Sequence, residues 1–167
     1  MTVTTDERDR LTAERDRIRD EFLAPRADRP ASAARGIHHT ALICSDVRRT
    51  VDFYQNLLGF PLTEMFENRD LEGSTHFFFD VGHGNALAFF DLPGVDPGAY
   101  AEVLGGLHHL AISMTRESWQ AAKDRLDAAG AEYLLESGTS IYLRDPDGAR
   151  VELIADPLGE MYGHPVG

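Results

Sequence analysis

Gly36-Ile37-His38-His39-Thr40-Ala41-Leu42-Ile43 is echoed 70 residues later by Gly106-Leu107-His108-His109-Leu110-Ala111-Ile112-Ser113. An internal repeat decides architecture before any single element does, because each copy folds as the same supersecondary unit. A helix pattern over 47–58 follows the first copy, opened by Ser45-Asp46 and closed by Gly59. Another over 117–129 follows the second, opened by Thr115 and closed by Gly130. Capping side chains at the start and glycine at the end mark both helices. Three short strands then follow each helix, at 62–67, 75–81 and 86–91, and at 132–135, 140–144 and 150–155. Asp145-Pro146-Asp147-Gly148 is the turn between the last two. The reading is α+β, with two βαβββ modules. The first covers residues 36–105 with a Gly- and Pro-rich connector, and the second covers 106–167 with a C-terminal tail.

Residues 1–35 stand apart. They hold eight acids and eight arginines, which leaves 20 acids and 8 bases of the chain's 28 and 16 for the body. Thr5 before Asp6-Glu7 predicts a helix start. Leu11, Ile18 and Phe22 give that helix a thin apolar stripe, and Pro25, Pro30 and the Ala/Ser run at 31–34 make a linker after it. Such a helix either docks on the body or clamps a dimer. The 167 residues carry a formal charge of -12, which argues against a nucleic-acid backbone or an anionic membrane as partner. One cysteine, Cys44, allows no internal disulfide and fits a reducing, cytoplasmic setting. No secretory leader pattern or bilayer-length apolar run is present.

Strand parity separates two faces. Leu110, Ile112 and Met114 share a face with His108 and should pack under a helix, whereas His109, Ala111 and Ser113 line the opposite face. By the repeat, His39 and His109 occupy equivalent positions. Glu152 lies in Val151-Glu152-Leu153-Ile154-Ala155, where a buried carboxylate needs a partner or a metal. Alone, each histidine reads as easily as a satisfied core or surface residue, and Glu152 could face solvent. Together His39, His109 and Glu152 make a 2-His-1-carboxylate set. Such a set leaves coordination positions open and suits Fe(II), with Mn(II) or another divalent metal as alternatives.

Three motifs resemble the vicinal oxygen chelate superfamily of glyoxalases, epimerases, fosfomycin-resistance enzymes, bleomycin-binding proteins and type I extradiol dioxygenases. They are Gly-x-His-His-x-Ala-Leu, Asp52-Phe53-Tyr54-x-x-x-Leu58-Gly59-Phe60, and Asp145-Pro146-Asp147-Gly148-x-x-x-Glu152. The resemblance spans about residues 36–156. It implies that the two modules form a cupped mixed sheet around a metal site, closed within one chain or exchanged between two. Exchange would put His39 and the His109/Glu152 pair on different chains of a homodimer.

The branch is read from the ligands. Aligning Gly84 with Gly148 sets Ala88 opposite Glu152, and alanine supplies no fourth ligand of the glyoxalase or epimerase kind. A phosphonate-binding transferase wants clustered bases, which the body has few of. A drug-binding module would lack the metal set, although the acidic body would suit a cationic drug; such a module, a fosfomycin-type thiol transferase and another metal-dependent enzyme of the superfamily are the alternatives. Ile141-Tyr142-Leu143-Arg144-Asp145-Pro146-Asp147-Gly148-Ala149-Arg150-Val151-Glu152 resembles the extradiol signature. That resemblance implies ring opening of a small catechol-like substrate, with two adjacent oxygens, by O2. Tyr142 would bond a substrate oxygen. The family's pocket histidine is replaced by Asn85, with His83 or His76 as substitutes, and Tyr142 with His83 or Asn85 would orient substrate oxygens and move protons. Phe77, Phe79, Phe89 and Met114 are either an apolar site wall or ordinary core. Cys44 reads as a small buried hydrophobe.

Overall fold

The computed structural model describes residues 3–166 and divides into two compact units, Met1–Arg35 and Gly36–Gly167. In the first, α1 spans Thr5–Phe22. Its cap is Thr4, one residue earlier than expected, whose hydroxyl accepts from the Glu7 amide at 3.3 Å. Asp6 and Glu7 then sit in the first turn, where acids complement the helix dipole. The apolar stripe is exposed, with Phe22 at 75%. A single 3-10 turn at Arg26–Asp28 interrupts the linker. Among the described residues no helix is long and apolar enough to cross a membrane.

The second unit contains both expected modules. In the first, β1 (His39–Cys44) leads to α2 (Val47–Val51), capped by the Asp46 carboxylate. The predicted helix over 47–58 is real, but its second half, Asp52–Leu58, widens into a π-helix. It stops at Gly59, with φ of 90°, where an added Cβ would lie 2.6 Å from Arg125 Nη2. The left-handed backbone is what calls for glycine there, and any side chain would also push the Arg125 guanidinium aside. Strands β2 (Leu62–Glu67), β3 (Thr75–Asp80) and β4 (Ala86–Asp91) complete a sheet in the order β1-β4-β3-β2.

The second module repeats the plan. Strand β5 (Leu110–Ser113) precedes α3 (Arg116–Ala128), capped by Thr115. Strands β6 (Leu134–Glu136), β7 (Ser140–Arg144) and β8 (Arg150–Ile154) give the order β5-β8-β7-β6. β6 begins two residues later than the pattern suggested, and a small hairpin, β9 (Glu160–Met161) with β10 (His164–Pro165), closes the tail. In each sheet the first strand runs parallel to the fourth and the others are antiparallel, so each module makes its own mixed sheet.

One core serves both modules. Tyr54, Leu58, Phe77, Phe79 and Phe89 of the first pack in one cluster with Trp119, Leu126, Ile141 and Leu153 of the second. Ile112 is buried, with Leu110 and Met114 against it, as parity required. Phe77, Phe79 and Phe89 are fully buried on this face, so the site-wall reading of them is corrected: they are core. Polar clasps lock the modules together. Arg125 donates to the carbonyls of Leu57 and Leu58 at 2.8 Å, satisfying acceptors that the helix end leaves open. Asp147 accepts from the Ser45 amide at 2.9 Å and from Arg49 at 3.1 Å.

Asp145, 6% exposed, accepts from the amides of Asp147 and Ala149 and from the Tyr54 hydroxyl at 3.1 Å. Burial raises its carboxyl above the ordinary value of 3.8. The folded chain therefore holds that proton more readily than the unfolded chain. This group's contribution to stability falls as pH rises through the window from 3.8 to the raised value. Tyr54→Phe strips a donor from the buried carboxylate and is expected to cost about 1–3 kcal/mol at neutral pH, read from urea unfolding midpoints. The loss should shrink in acid, where Asp145 is protonated.

Candidate metal centre

The shared core takes one face of each sheet and leaves the other open. Register assigns the open faces. On the second sheet Ala111 pairs with Glu152, and Glu152 with Tyr142, so His109, Glu152 and Tyr142 look the same way. On the first sheet Ala41 pairs with Ala88, and Ala88 with Phe78. Ala88 and Glu152 therefore hold equivalent places, opposite the repeat-related Ala41 and Ala111. The alignment made from Gly84 and Gly148 is the one the strands adopt.

Glu152 is 5% exposed, so the solvent-facing alternative is removed. Its Oε2 lies 3.3 Å from His109 Nε2. The Tyr142 ring sits edge-on to His109 at 5.9 Å between centroids. Burial, followed by the neighbouring Glu152 carboxylate, pushes the Tyr142 hydroxyl up to about 12. It is thus a neutral donor across the ordinary pH range. A cavity of about 560 Å³ opens here, lined by His109, Tyr142, Leu134, Arg144 and Arg150 among others.

His39 lies on the open face of the first sheet, exposed and in register with Ala86. Among the described residues no three His, Cys, Asp or Glu side chains stand together as a cation site. A single chain therefore gathers two members of the predicted set, His109 and Glu152, and carries the third on its other sheet. The repeat extends to the ligands' neighbours. His38 Nδ1 contacts His39 Nδ1 at 2.9 Å, and His108 Nδ1 contacts His109 Nδ1 at 2.7 Å. Each contact engages Nδ1, and in the second module His109 Nε2 is left on the Glu152 side, where a metal-binding imidazole would meet its ion. A buried carboxylate and imidazole nitrogens fit a divalent cation.

His83 and Asn85 fall in the β3–β4 turn, outside the cavity at His109. His83 is exposed with φ of 52°. Asn85 closes the turn: its amide group donates to the Gly82 carbonyl at 3.1 Å and its own carbonyl accepts from Val81. His76 is different. It shares the open face with His39, stacks on Phe90 at 3.8 Å, and its Nε2 is buried without a partner. Burial, and then the nearby His39, lower its pKa below 6.5.

Two features of the open faces escaped the sequence reading. Phe66, Phe78 and Phe90, not the core phenylalanines, line the His39 side. Alternation alone could have shown it, because each of Phe78 and Phe90 neighbours a core phenylalanine. Arg144 and Arg150 are register partners on the Glu152 face. The body is poor in bases, yet two of them meet beside the site.

Residues 36–153 match the profile described as the Glyoxalase/Bleomycin resistance protein/Dioxygenase superfamily. MhqA of Bacillus subtilis (strain 168), assigned as a ring-cleaving dioxygenase, is 27% identical in an alignment 142 positions long that covers 78% of this chain but 43% of that protein. The metallothiol transferase FosB of Shouchella clausii (strain KSM-K16) is 31% identical, covering 77% of this chain and 86% of FosB. A lactoylglutathione lyase of Escherichia coli O157:H7 is 30% identical, covering 71% and 90%. Among solved structures, a glyoxylase/bleomycin resistance protein/dioxygenase domain from Frankia sp. EAN1pec superposes with a TM-score of 0.63 at 19% identity, over 77% of this chain and 96% of that one. Paired βαβββ modules, the repeat-related histidines and a profile match over most of the chain agree: this protein belongs to the glyoxalase/bleomycin resistance/dioxygenase superfamily, the vicinal oxygen chelate fold, whose members are mostly metalloenzymes.

Proposed function

We propose that this protein is a metal-dependent dioxygenase of the extradiol type, opening the ring of a small catechol-like phenol with dioxygen. The observation that supports it most is the buried Glu152 carboxylate 3.3 Å from His109, with a neutral tyrosine hydroxyl beside it. His109, Glu152 and His39 would hold the metal, Fe(II) by preference or Mn(II) or another divalent ion. When bound, such an ion lowers the pKa of a coordinated hydroxyl and so favours the substrate anion. Ala88, at the place equivalent to Glu152, weighs against a four-ligand lyase site.

The protein works as a homodimer on this reading. The two open faces of one chain are backed by the same core, so His39 of the partner subunit completes the set. The first sheet would then lay Phe66, Phe78 and Phe90 against the substrate ring. Exposure suits such a covered face: Phe66 is 48% exposed and Ile43 49%. Tyr142 donates a hydrogen bond to a substrate oxygen. On the His39 side, His76 presents an unpartnered nitrogen for proton transfer. His83 and Asn85, just before the register partner of His39, are further candidates for that role.

Anaerobic loading with Fe(II), addition of a panel of diphenols and admission of air should give oxygen uptake and a yellow ring-opened product. His109→Ala should abolish both. Metal-loaded protein that consumes no oxygen with any diphenol overturns the proposal. Tyr142→Phe should keep its metal and lose about ten- to a hundredfold in turnover, measured by oxygen electrode.

A further inference from the structure

Arg144 and Arg150 stand directly opposite one another on β7 and β8, on the face that carries Glu152. Like charges in that relation repel and weaken a strand pair, unless an anion sits between them. The anion is Glu102. Its Oε1 lies 2.7 Å from Arg150 Nη2 and 3.3 Å from Arg144 Nη2. Glu102 belongs to the connector between the modules, in a stretch with no helix or strand. Both arginines line the cavity that holds His109 and Tyr142. The other polar contacts of the arginines are light: Arg144 donates to the Gly148 carbonyl at 2.8 Å, and Arg150 meets His108 Nε2 at 3.2 Å. Two guanidinium groups gripping one carboxylate is the arrangement by which arginines recognise carboxylates on ligands.

We propose that Arg144 and Arg150 form an anion subsite of the candidate active site, that Glu102 fills it in the substrate-free protein, and that a carboxylate on the substrate ring takes Glu102's place. The proposal rests on the ring-cleaving reading of the same site and narrows its substrate class to dihydroxylated aromatic acids. The apolar wall and the metal set then address the ring and its adjacent hydroxyls, while the arginine pair addresses a third group.

The test compares 3,4-dihydroxybenzoate with catechol, titrated calorimetrically and anaerobically into the Fe(II)-loaded full chain. The acid should bind at least about tenfold more tightly. Arg150→Gln should erase that preference, and Arg150→Lys should restore only part of it, because lysine keeps the charge without the fork. Glu102→Gln should move the other way, strengthening the acid's binding about threefold or more, a gain that a merely damaged fold does not produce. Equal affinity for the two ligands, or weaker binding of the acid in Glu102→Gln, overturns the proposal. So does an Arg150→Gln loss shared equally by both ligands. Benzoate separates this proposal from the reaction itself. Benzoate binding to the metal-free chain that disappears in Arg150→Gln supports the subsite even where no diphenol consumes oxygen. Oxygen uptake on catechol without any preference for the acid sinks the subsite alone. Displacement of benzoate by methylphosphonate at lower concentration assigns the pair to phosphonates and overturns the carboxylate.

Discussion

Mixing His39→Ala chains with His109→Ala chains is expected to restore about a quarter of the wild-type oxygen uptake, although neither variant alone is active. Each substitution removes one of the proposed metal ligands, and the loss should exceed the roughly hundredfold seen when only a ligand's hydrogen-bond partner is removed. If each site joins the first module of one subunit to the second module of another, a mixed dimer has one doubly damaged site and one intact site. Random reassociation makes about half the dimers mixed, and one live site in two gives the quarter. The physical basis is the shared core. Tyr54, Phe89, Ile141 and Leu153 bind the backs of the two sheets into one cluster. One chain cannot turn its open faces together without breaking that cluster. Chains that reassociate as dimers and stay inactive would place His39 outside the site or confine each site to one chain. Metal content of the separated mixed dimer gives a second readout, expected near half that of the wild type.

Phe89→Ala is expected to destabilise the protein by about 3–5 kcal/mol, a large part of the stability of an ordinary domain. Phe89 is 0% exposed and meets Phe77 at 5.5 Å, Phe79 at 5.9 Å and Tyr54 at 4.9 Å between ring centroids. Truncation leaves a cavity among rings held by a sheet on one side and a helix on the other, so little can collapse into it. Phe90, the next residue, faces the other way and stacks on His76. Phe90→Ala should cost much less stability and should act on substrate affinity instead. Urea unfolding of both variants, with oxygen uptake of the folded fraction, tests the pair. Equal destabilisation by the two would mean that the strand does not divide core from site as register indicates.

The sequence was most legible where a short period or a local signal carries the information. Asp46 and Thr115 sit where capping chemistry requires them, and Gly59 and Gly130 follow the helix ends. Alternation placed Leu110, Ile112 and Met114 in the core and His109 on the opposite face. The same period runs through the phenylalanines, with His76 marking the face that Phe78 shares and Phe77 and Phe79 on the other, but aromatic side chains on both faces masked it. The π-helix at Asp52–Leu58 was equally hidden, since its residues keep a helical pattern.

The repeat alone determined the fold class and the equivalence of His39 with His109, and it pointed to Glu152 rather than Ala88 as the expected ligand, because strand parity and helix caps act over a few residues. Only the tertiary structure decided that Glu152 is buried against His109, that His39 belongs to the opposite open face, and that Glu102 sits between Arg144 and Arg150. Those facts depend on which faces the shared core covers and where the connector runs, and contacts between residues far apart in sequence leave no local period to read.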